Sequence, residues 1–134
     1  MGASGWSYFV SYKSDPNEAL QELRWEVFKN KRYFVYDDVS GNSPDELLRN
    51  SEENGTHSII DITSISETDD LNQNGTINKE DLKKILGTDK PTREMIEGKE
   101  FEFQSYRGRW ACTYLICYKD GMPSEIYFTG YSGD

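Results

Sequence analysis

One stretch of this chain, "RWACTYLICYK" at residues 109–119, limits the available folds more strongly than any other. In an extended strand successive side chains point to opposite faces. Here both faces carry apolar side chains: Trp110, Cys112, Tyr114 and Ile116 lie on one, and Ala111, Leu115 and Cys117 on the other. A strand that is apolar on both faces is covered on both faces. We therefore predict that residues 109–119 form a central strand of a sheet.

Capping residues locate the helices around this strand. A polar residue followed by proline begins two segments, Asp15–Pro16 and Ser43–Pro44, and this pair is typical of a helix start. The first helix, 15–30, has an apolar stripe that includes Leu20, Leu23 and Val27. The sequence predicts further helices at 43–55 and 79–86 and a helical turn at 91–98. It also predicts strands at 6–12, 31–38, 57–62, 100–106 and 124–131.

These elements predict an α+β fold with a mostly antiparallel sheet. We expect about five to six strands, with one long helix and two to three short helices packed on them. The 15–30 helix should cover one face of the sheet. At 134 residues the chain is most simply a single domain, residues 1–134.

The charge of the chain restricts its partners. There are 24 acidic and 15 Lys or Arg residues, giving a formal charge of −9. Nucleic acid is a poor partner because phosphate binding requires clustered cations. A basic protein or a divalent cation suits this charge better. We expect a monomer or weak dimer that does not bind a membrane.

The N-terminus and the cysteines indicate a compartment. "MGASGWSYFVSY" has neither a charged leader nor a long apolar run, so we expect no secretory signal or anchor. Cys112 and Cys117 are five residues apart on one strand. They should face opposite ways, about 16 Å apart along the strand, too far to form a disulfide. Free thiols favour a cytoplasmic location.

The histidine content limits the possible chemistry. His57 is the single histidine, which excludes a HExxH zinc site and any multi-histidine site. His57 near Asp61 is a weak candidate for acid–base catalysis. A pair of His57 with one cysteine is another. The alternative is that His57 caps or turns the chain after "NGT".

Residues 70–81 match the register of an EF-hand calcium loop. Gly75 takes the position of the sharp turn, and the ligand positions fall on Asp70, Asn72, Asn74, Thr76, Asn78 and Asp81. The stretch "DLNQNGTINKEDLKKIL" is similar to the calcium half-motif of dockerins, in which Asp closes the loop. With two charged ligands we expect a dissociation constant of about 10⁻⁴ to 10⁻³ M. The alternative is an Asn-Gly turn followed by a helix that Asn78 caps.

A second resemblance spans most of the chain. "MGASGW", "NGTHSIIDI", "GTDKPTR" and the terminal "IYFTGYSGD" resemble a family of small bacterial proteins of uncharacterised function, found in cyanobacteria and actinobacteria. The resemblance implies a bacterial, cytosolic, single-domain protein and assigns no catalytic residue. Its members reach "GTDKPTR" without a clear calcium loop, so this chain departs from them at 70–81.

Three functions remain open from the sequence. The first is a small acidic binding module that holds calcium weakly at residues 70–81. The second is an acidic, immunity-like protein that neutralises a basic partner through negative and aromatic surface. The third is an enzyme with a site around His57. The sequence favours a binding protein over an enzyme, with Ca²⁺ as the single candidate cofactor.

Overall fold

The computed structural model describes residues 4–67 and 74–132. The strands are β1 (Gly5–Ser11), β2 (Gly75–Thr76), β3 (Ala111–Lys119) and β4 (Met122–Tyr131). The helices are α1 (Pro16–Lys29), α2 (Pro44–Ser51), α3 (Lys79–Leu86), α4 (Arg93–Glu97) and α5 (Glu100–Gln104). Two short 3₁₀ turns, Glu52–Asn54 and Ile59–Asp61, lie between α2 and β2.

The described strands form one sheet in the order β1-β4-β3-β2. β4 pairs antiparallel with both β1 and β3, whereas the two-residue β2 pairs parallel with β3. β3 therefore has neighbours on both sides, and the predicted central position of the 109–119 strand is confirmed. The α+β class is confirmed as well, but the sheet has four described strands where the sequence predicts five to six.

Apolar clusters cover both faces of the sheet. On the first face α1, α2 and the Ile59–Asp61 turn pack through a cluster that includes Leu20, Leu23, Val27, Leu47, Ile59, Ile60, Cys112, Tyr114, Ile126 and Phe128. On the second face α3, α4 and α5 contribute Leu82, Ile96 and Phe103, which pack against Leu115, Cys117 and Tyr127. α1 thus packs through the predicted stripe. Short helices cover the other face, as the two apolar faces of residues 109–119 require.

Three predicted strands are wrong. Residues 31–38 run as an irregular connection between α1 and α2. The apolar run at 57–62 forms a 3₁₀ turn that buries Ile59 and Ile60 without pairing to a strand. Residues 100–104 form α5, where Phe103 is buried but Phe101 is 71% exposed. A strand with alternating burial would have placed both phenylalanines on the same face.

The capping signals are confirmed. Asp15 accepts a hydrogen bond from the backbone N–H of Asn17 at 2.9 Å, and Ser43 accepts one from that of Glu46 at 3.1 Å. Asn78 begins α3 in the same way, and α3 ends at Gly87, whose φ of +78° is left-handed. Such caps satisfy backbone groups that the helix itself leaves unpaired. No helix in the described ranges combines the length and apolar character needed to cross a membrane.

Candidate functional site

The predicted calcium loop lies partly outside the described residues: Asp70 and Asn72 belong to the segment 68–73. The described ligand positions accept hydrogen bonds within the chain. Asn74 Oδ1 accepts from the backbone N–H of Cys112 at 2.8 Å, and the carbonyl of Thr76 accepts from Arg107 Nη2 at 2.6 Å. The guanidinium therefore places a positive charge at a carbonyl that calcium would use.

The other two described ligands begin α3. Asn78 Oδ1 accepts from the backbone N–H of Asp81 at 2.7 Å, as an N-cap does. Asp81 Oδ2 accepts from the Tyr106 hydroxyl at 2.6 Å. Among the described residues, no three His, Cys, Asp or Glu side chains converge to hold a metal. The turn-and-cap interpretation accounts for Asn78 and Asp81, and the calcium site stays a prediction.

His57 and Asp61 lie in one tight turn. Asp61 Oδ1 accepts from the backbone N–H of Thr56 at 2.7 Å and from its hydroxyl at 2.8 Å. Burial raises the pKa of Asp61, while the Thr56 hydrogen bonds and the charge of His57 oppose that rise. Asp61 Oδ2 is buried without a hydrogen-bond partner in the described part of the chain. The carboxyl group therefore holds the turn together at the cost of one unsatisfied oxygen.

The backbone of this turn is strained and closely packed. His57 has a φ of +55°, a left-handed value that a residue with a side chain rarely adopts. A Cβ on Gly55 would lie 2.6 Å from the ring of Trp110, so glycine alone fits there. His57 also lines a cavity of about 10 Å³, which is about the space of one water molecule. That cavity is too small for a substrate.

An exposed aromatic segment follows α1, at residues the sequence assigns to a strand. Phe34 and Tyr36 are each 58% exposed, and their rings meet edge to face at 6.1 Å. Phe34 also contacts the ring of His57 at 5.3 Å. The backbone N–H of Phe34 donates to the carbonyl of Thr56 at 2.9 Å. These rings are held at the surface by the turn that contains His57.

Charged residues lie near these rings in the sequence. Asp37 and Asp38 follow Tyr36 directly and are exposed. Glu52 and Glu53 are exposed between Ser51 and Asn54, two residues that line the same small cavity as Phe34 and Tyr36. Asp37 and Asp38 make the end of this segment negative, whereas Lys29, Lys31 and Arg32 lie before the rings. The exposure of the rings differs from the sequence prediction, which assigns residues 31–38 to a strand.

Comparison with protein-family models, with curated proteins and with solved structures finds no match to this chain.

Proposed function

We propose that this protein is a non-enzymatic binding module that engages a basic protein partner through an acidic, aromatic surface. The observation that carries the proposal is the pair Phe34 and Tyr36, each 58% exposed and followed by two aspartates. Aromatic side chains are enriched at protein interfaces, where they bury large areas at low entropic cost. We call Phe34, Tyr36, Asp37 and Asp38 the aromatic-acidic segment.

The charge of the whole chain supports the same proposal. A formal charge of −9 attracts a cationic partner over a distance and accelerates its association. The aromatic rings would then supply short-range affinity, since carboxylates at an exposed rim contribute mainly to rate and specificity. A partner with lysine or arginine beside an apolar anchor matches both features.

The test of this proposal measures the affinity of the protein for synthetic peptides of about twelve residues. The peptides have the same apolar content and carry positive, zero or negative net charge. We expect the basic peptides to bind in fluorescence anisotropy and their affinity to fall as salt rises from about 0.02 to 0.2 M, because salt screens exposed charges. Equal binding of acidic and basic peptides, or no binding by any peptide, would count against the proposal.

A double variant, Phe34→Ala with Tyr36→Ala, should weaken the basic peptides about tenfold or more, since truncation of an interface anchor costs more than about 1 kcal/mol. The matched control is Met122→Ala, because Met122 is 67% exposed at the start of β4. Its truncation should leave affinity unchanged. In the variant with Asp37→Asn and Asp38→Asn, the aromatic rings should still contribute to peptide affinity, but that affinity should depend less on salt concentration.

Calcium binding at residues 70–81 remains a second proposal, supported by the loop register in the sequence. The raised pKa of Asp61 is compatible with the catalytic hypothesis for His57 and Asp61. However, the cavity that His57 lines is too small to hold a substrate. The binding-module proposal requires neither.

A further inference from the structure

The outer edge of β1 carries unused backbone groups. The backbone N–H of Tyr12 donates to the carbonyl of Ser124, and that of Ser132 donates to the carbonyl of Ser4. In an antiparallel pair the bonding direction alternates, so the even-numbered residues of β1 face β4. Gly5, Ser7, Phe9 and Ser11 therefore direct their N–H and carbonyl groups away from the sheet. Over residues 4–67 and 74–132, no backbone hydrogen bond closes this edge.

The sequence of β1 itself lacks the features that normally prevent strand addition. Natural edges are protected by lysine, proline, a bulge or a very short strand. β1 reads "GWSYFVS", without a charged residue or a proline, and pairs with β4 over seven residues in unbroken register. The opposite edge, β2, has two residues. β1 thus offers about 20 Å of edge, beside α5, from which Glu100 accepts a hydrogen bond from the Ser7 hydroxyl at 3.3 Å.

A groove continues the edge at the end of β1. It has a volume of about 770 Å³ and lies between the β1 end, with Val10, Ser11 and Lys13, and α1, with Glu22, Trp25 and Glu26. Lys13 is paired with Glu22 at 2.9 Å. Glu18, 3.9 Å from Lys13, and Glu26 add two exposed carboxylates to the α1 side of the groove, which Lys29 also lines. The groove therefore combines an exposed indole with carboxylates, a surface suited to lysine or arginine side chains.

A row of rings joins this groove to the aromatic-acidic segment. Trp25 meets Phe28 edge to face at 5.7 Å, and Phe28 stacks on Tyr33 at 6.2 Å. Phe34 follows Tyr33 in the chain. Tyr33 and Phe28 pack against the same core cluster as Tyr8 and Val10 of β1. The β1 edge, the groove and the aromatic-acidic segment therefore lie on connected parts of the molecule.

We infer that the free edge of β1 receives an extended segment of the basic partner as an added antiparallel or parallel strand, with cationic side chains meeting Glu26 and Trp25. This inference rests on the proposed function and adds the mode of docking to it. Backbone hydrogen bonds would supply affinity, and the α1 groove would supply selectivity, as in other cases of strand addition. A second copy of this chain is a poorer occupant because both copies carry −9 and repel one another.

Proline substitution on the edge provides the test on the protein. Ser7→Pro and Ser11→Pro each remove an N–H that points away from β4, and proline is tolerated on an edge strand in that orientation. Their matched controls, Ser7→Ala and Ser11→Ala, remove the hydroxyl and keep the N–H. We expect each proline variant to weaken the tightest basic peptide at least tenfold, and each alanine variant to bind within about twofold of the wild type. Thermal melts identify any proline variant that fails to fold.

Backbone methylation of the peptide provides a test that leaves the protein unchanged. An added strand directs every second N–H toward β1, so N-methylation at alternate residues should abolish binding in one register and spare it in the other. Equal effects of the two methylated peptides, together with normal binding by a folded Ser11→Pro variant, would overturn strand addition.

The outcomes separate this inference from the function on which it rests. If the wild type binds basic peptides but neither proline substitution in β1 nor methylation of the peptide backbone weakens binding as expected, strand addition is wrong and the binding-module proposal stands. If the wild type binds no basic peptide, the proposed function fails first. A concentration-dependent dimer of the wild type that Ser7→Pro dissociates would overturn the basic partner in favour of a second copy.

Discussion

The guanidinium of Arg24, which is 2% exposed, donates to the carboxylate of Asp45, which is 69% exposed, at 2.7 Å. Its Nε and Nη2 also donate to the carbonyl of Ile60 at 3.3 and 2.9 Å. One side chain of α1 thereby holds both α2 and the 3₁₀ turn that precedes β2. A buried guanidinium is tolerated here because it is hydrogen-bonded on several sides.

Replacing Arg24 should therefore cost far more than replacing its ion-pair partner. Arg24→Met keeps an unbranched stem and leaves the Ile60 carbonyl without its donor, so we expect a loss of about 2–4 kcal/mol in urea unfolding. Asp45→Asn should cost less than about 1 kcal/mol, since water can replace an exposed carboxylate. Equal losses would mean that the ion pair, rather than the bond to Ile60, fixes the turn.

The Asp61 carboxyl gives the turn a specific dependence on pH. Its pKa in the folded chain is raised by burial, so folding favours the neutral form. That contribution to stability is fully present below the pKa of the unfolded chain, about 3.9, and is lost as pH rises through the folded value. Asp61→Asn stays neutral throughout. The variant should therefore be most destabilised relative to wild type near pH 4, with the difference narrowing toward pH 7.

Urea unfolding of both proteins across that range measures the difference directly. Glu26→Gln, at an exposed carboxylate on α1, is the control for a loss of charge without a loss of burial. A difference between wild type and Asp61→Asn that widens toward pH 7 would show that the ionised carboxylate stabilises the turn.

Both thiols should react slowly in the native protein. Cys112 and Cys117 are buried and lie in separate clusters on the two faces of the sheet, so the prediction that they do not pair is confirmed. Burial raises the pKa of Cys112 to about 12, and burial also raises the pKa of Cys117. Because the thiolate is the reactive form, a disulfide reagent should label both thiols at least about a hundredfold faster in urea than in buffer. Rapid labelling of either native thiol would contradict this burial.

Some parts of the fold can be predicted from the sequence because they depend on interactions between residues close together in the chain. The caps at Asp15, Ser43 and Asn78 bind backbone groups two or three residues away, so a short stretch contains the whole interaction. The two-faced pattern of 109–119 likewise requires a central strand. Helix caps and strand patterns of this kind can be recognised without knowing which distant residues pack against them.

The failed predictions concern segments whose structure depends on distant partners. The carbonyl of Ile60 accepts from Arg24, 36 residues away in the chain. Ser58 caps this turn locally, but a short apolar run does not distinguish a strand from a helical turn, so the cap alone does not identify the turn. The exposed β1 edge depends on strand order, which no local pattern of residues 5–11 indicates. The exposure of Phe34 and Tyr36 is not predicted because the sequence pattern assigns residues 31–38 to a strand, whereas they form an irregular connection.

Melting temperatures with and without Ca²⁺ test the calcium loop predicted at residues 70–81, and substitution of Arg107 sharpens the test. A loop with Asp70 and Asp81 as its charged ligands should bind Ca²⁺ at about 10⁻⁴ to 10⁻³ M. At ten times the dissociation constant the stabilisation is about 1.4 kcal/mol, which raises the melting temperature by a few degrees. Mg²⁺ should do less, because it releases its water reluctantly. Asp70→Ala should abolish the shift and leave the calcium-free melting temperature unchanged.

Arg107→Gln should enlarge that shift, since it removes the guanidinium that donates to the Thr76 carbonyl at 2.6 Å and so removes a competing cation. Lys84→Gln, at an exposed residue of α3, changes the net charge equally without touching that carbonyl, and its calcium shift should match that of the wild type. Asp81→Ala should abolish the shift and also lower calcium-free stability, because Asp81 lies in the first turn of α3 and accepts from Tyr106. A flat melting temperature up to about 10 mM Ca²⁺ in both the wild type and Arg107→Gln would assign Asn78 and Asp81 to the helix cap alone.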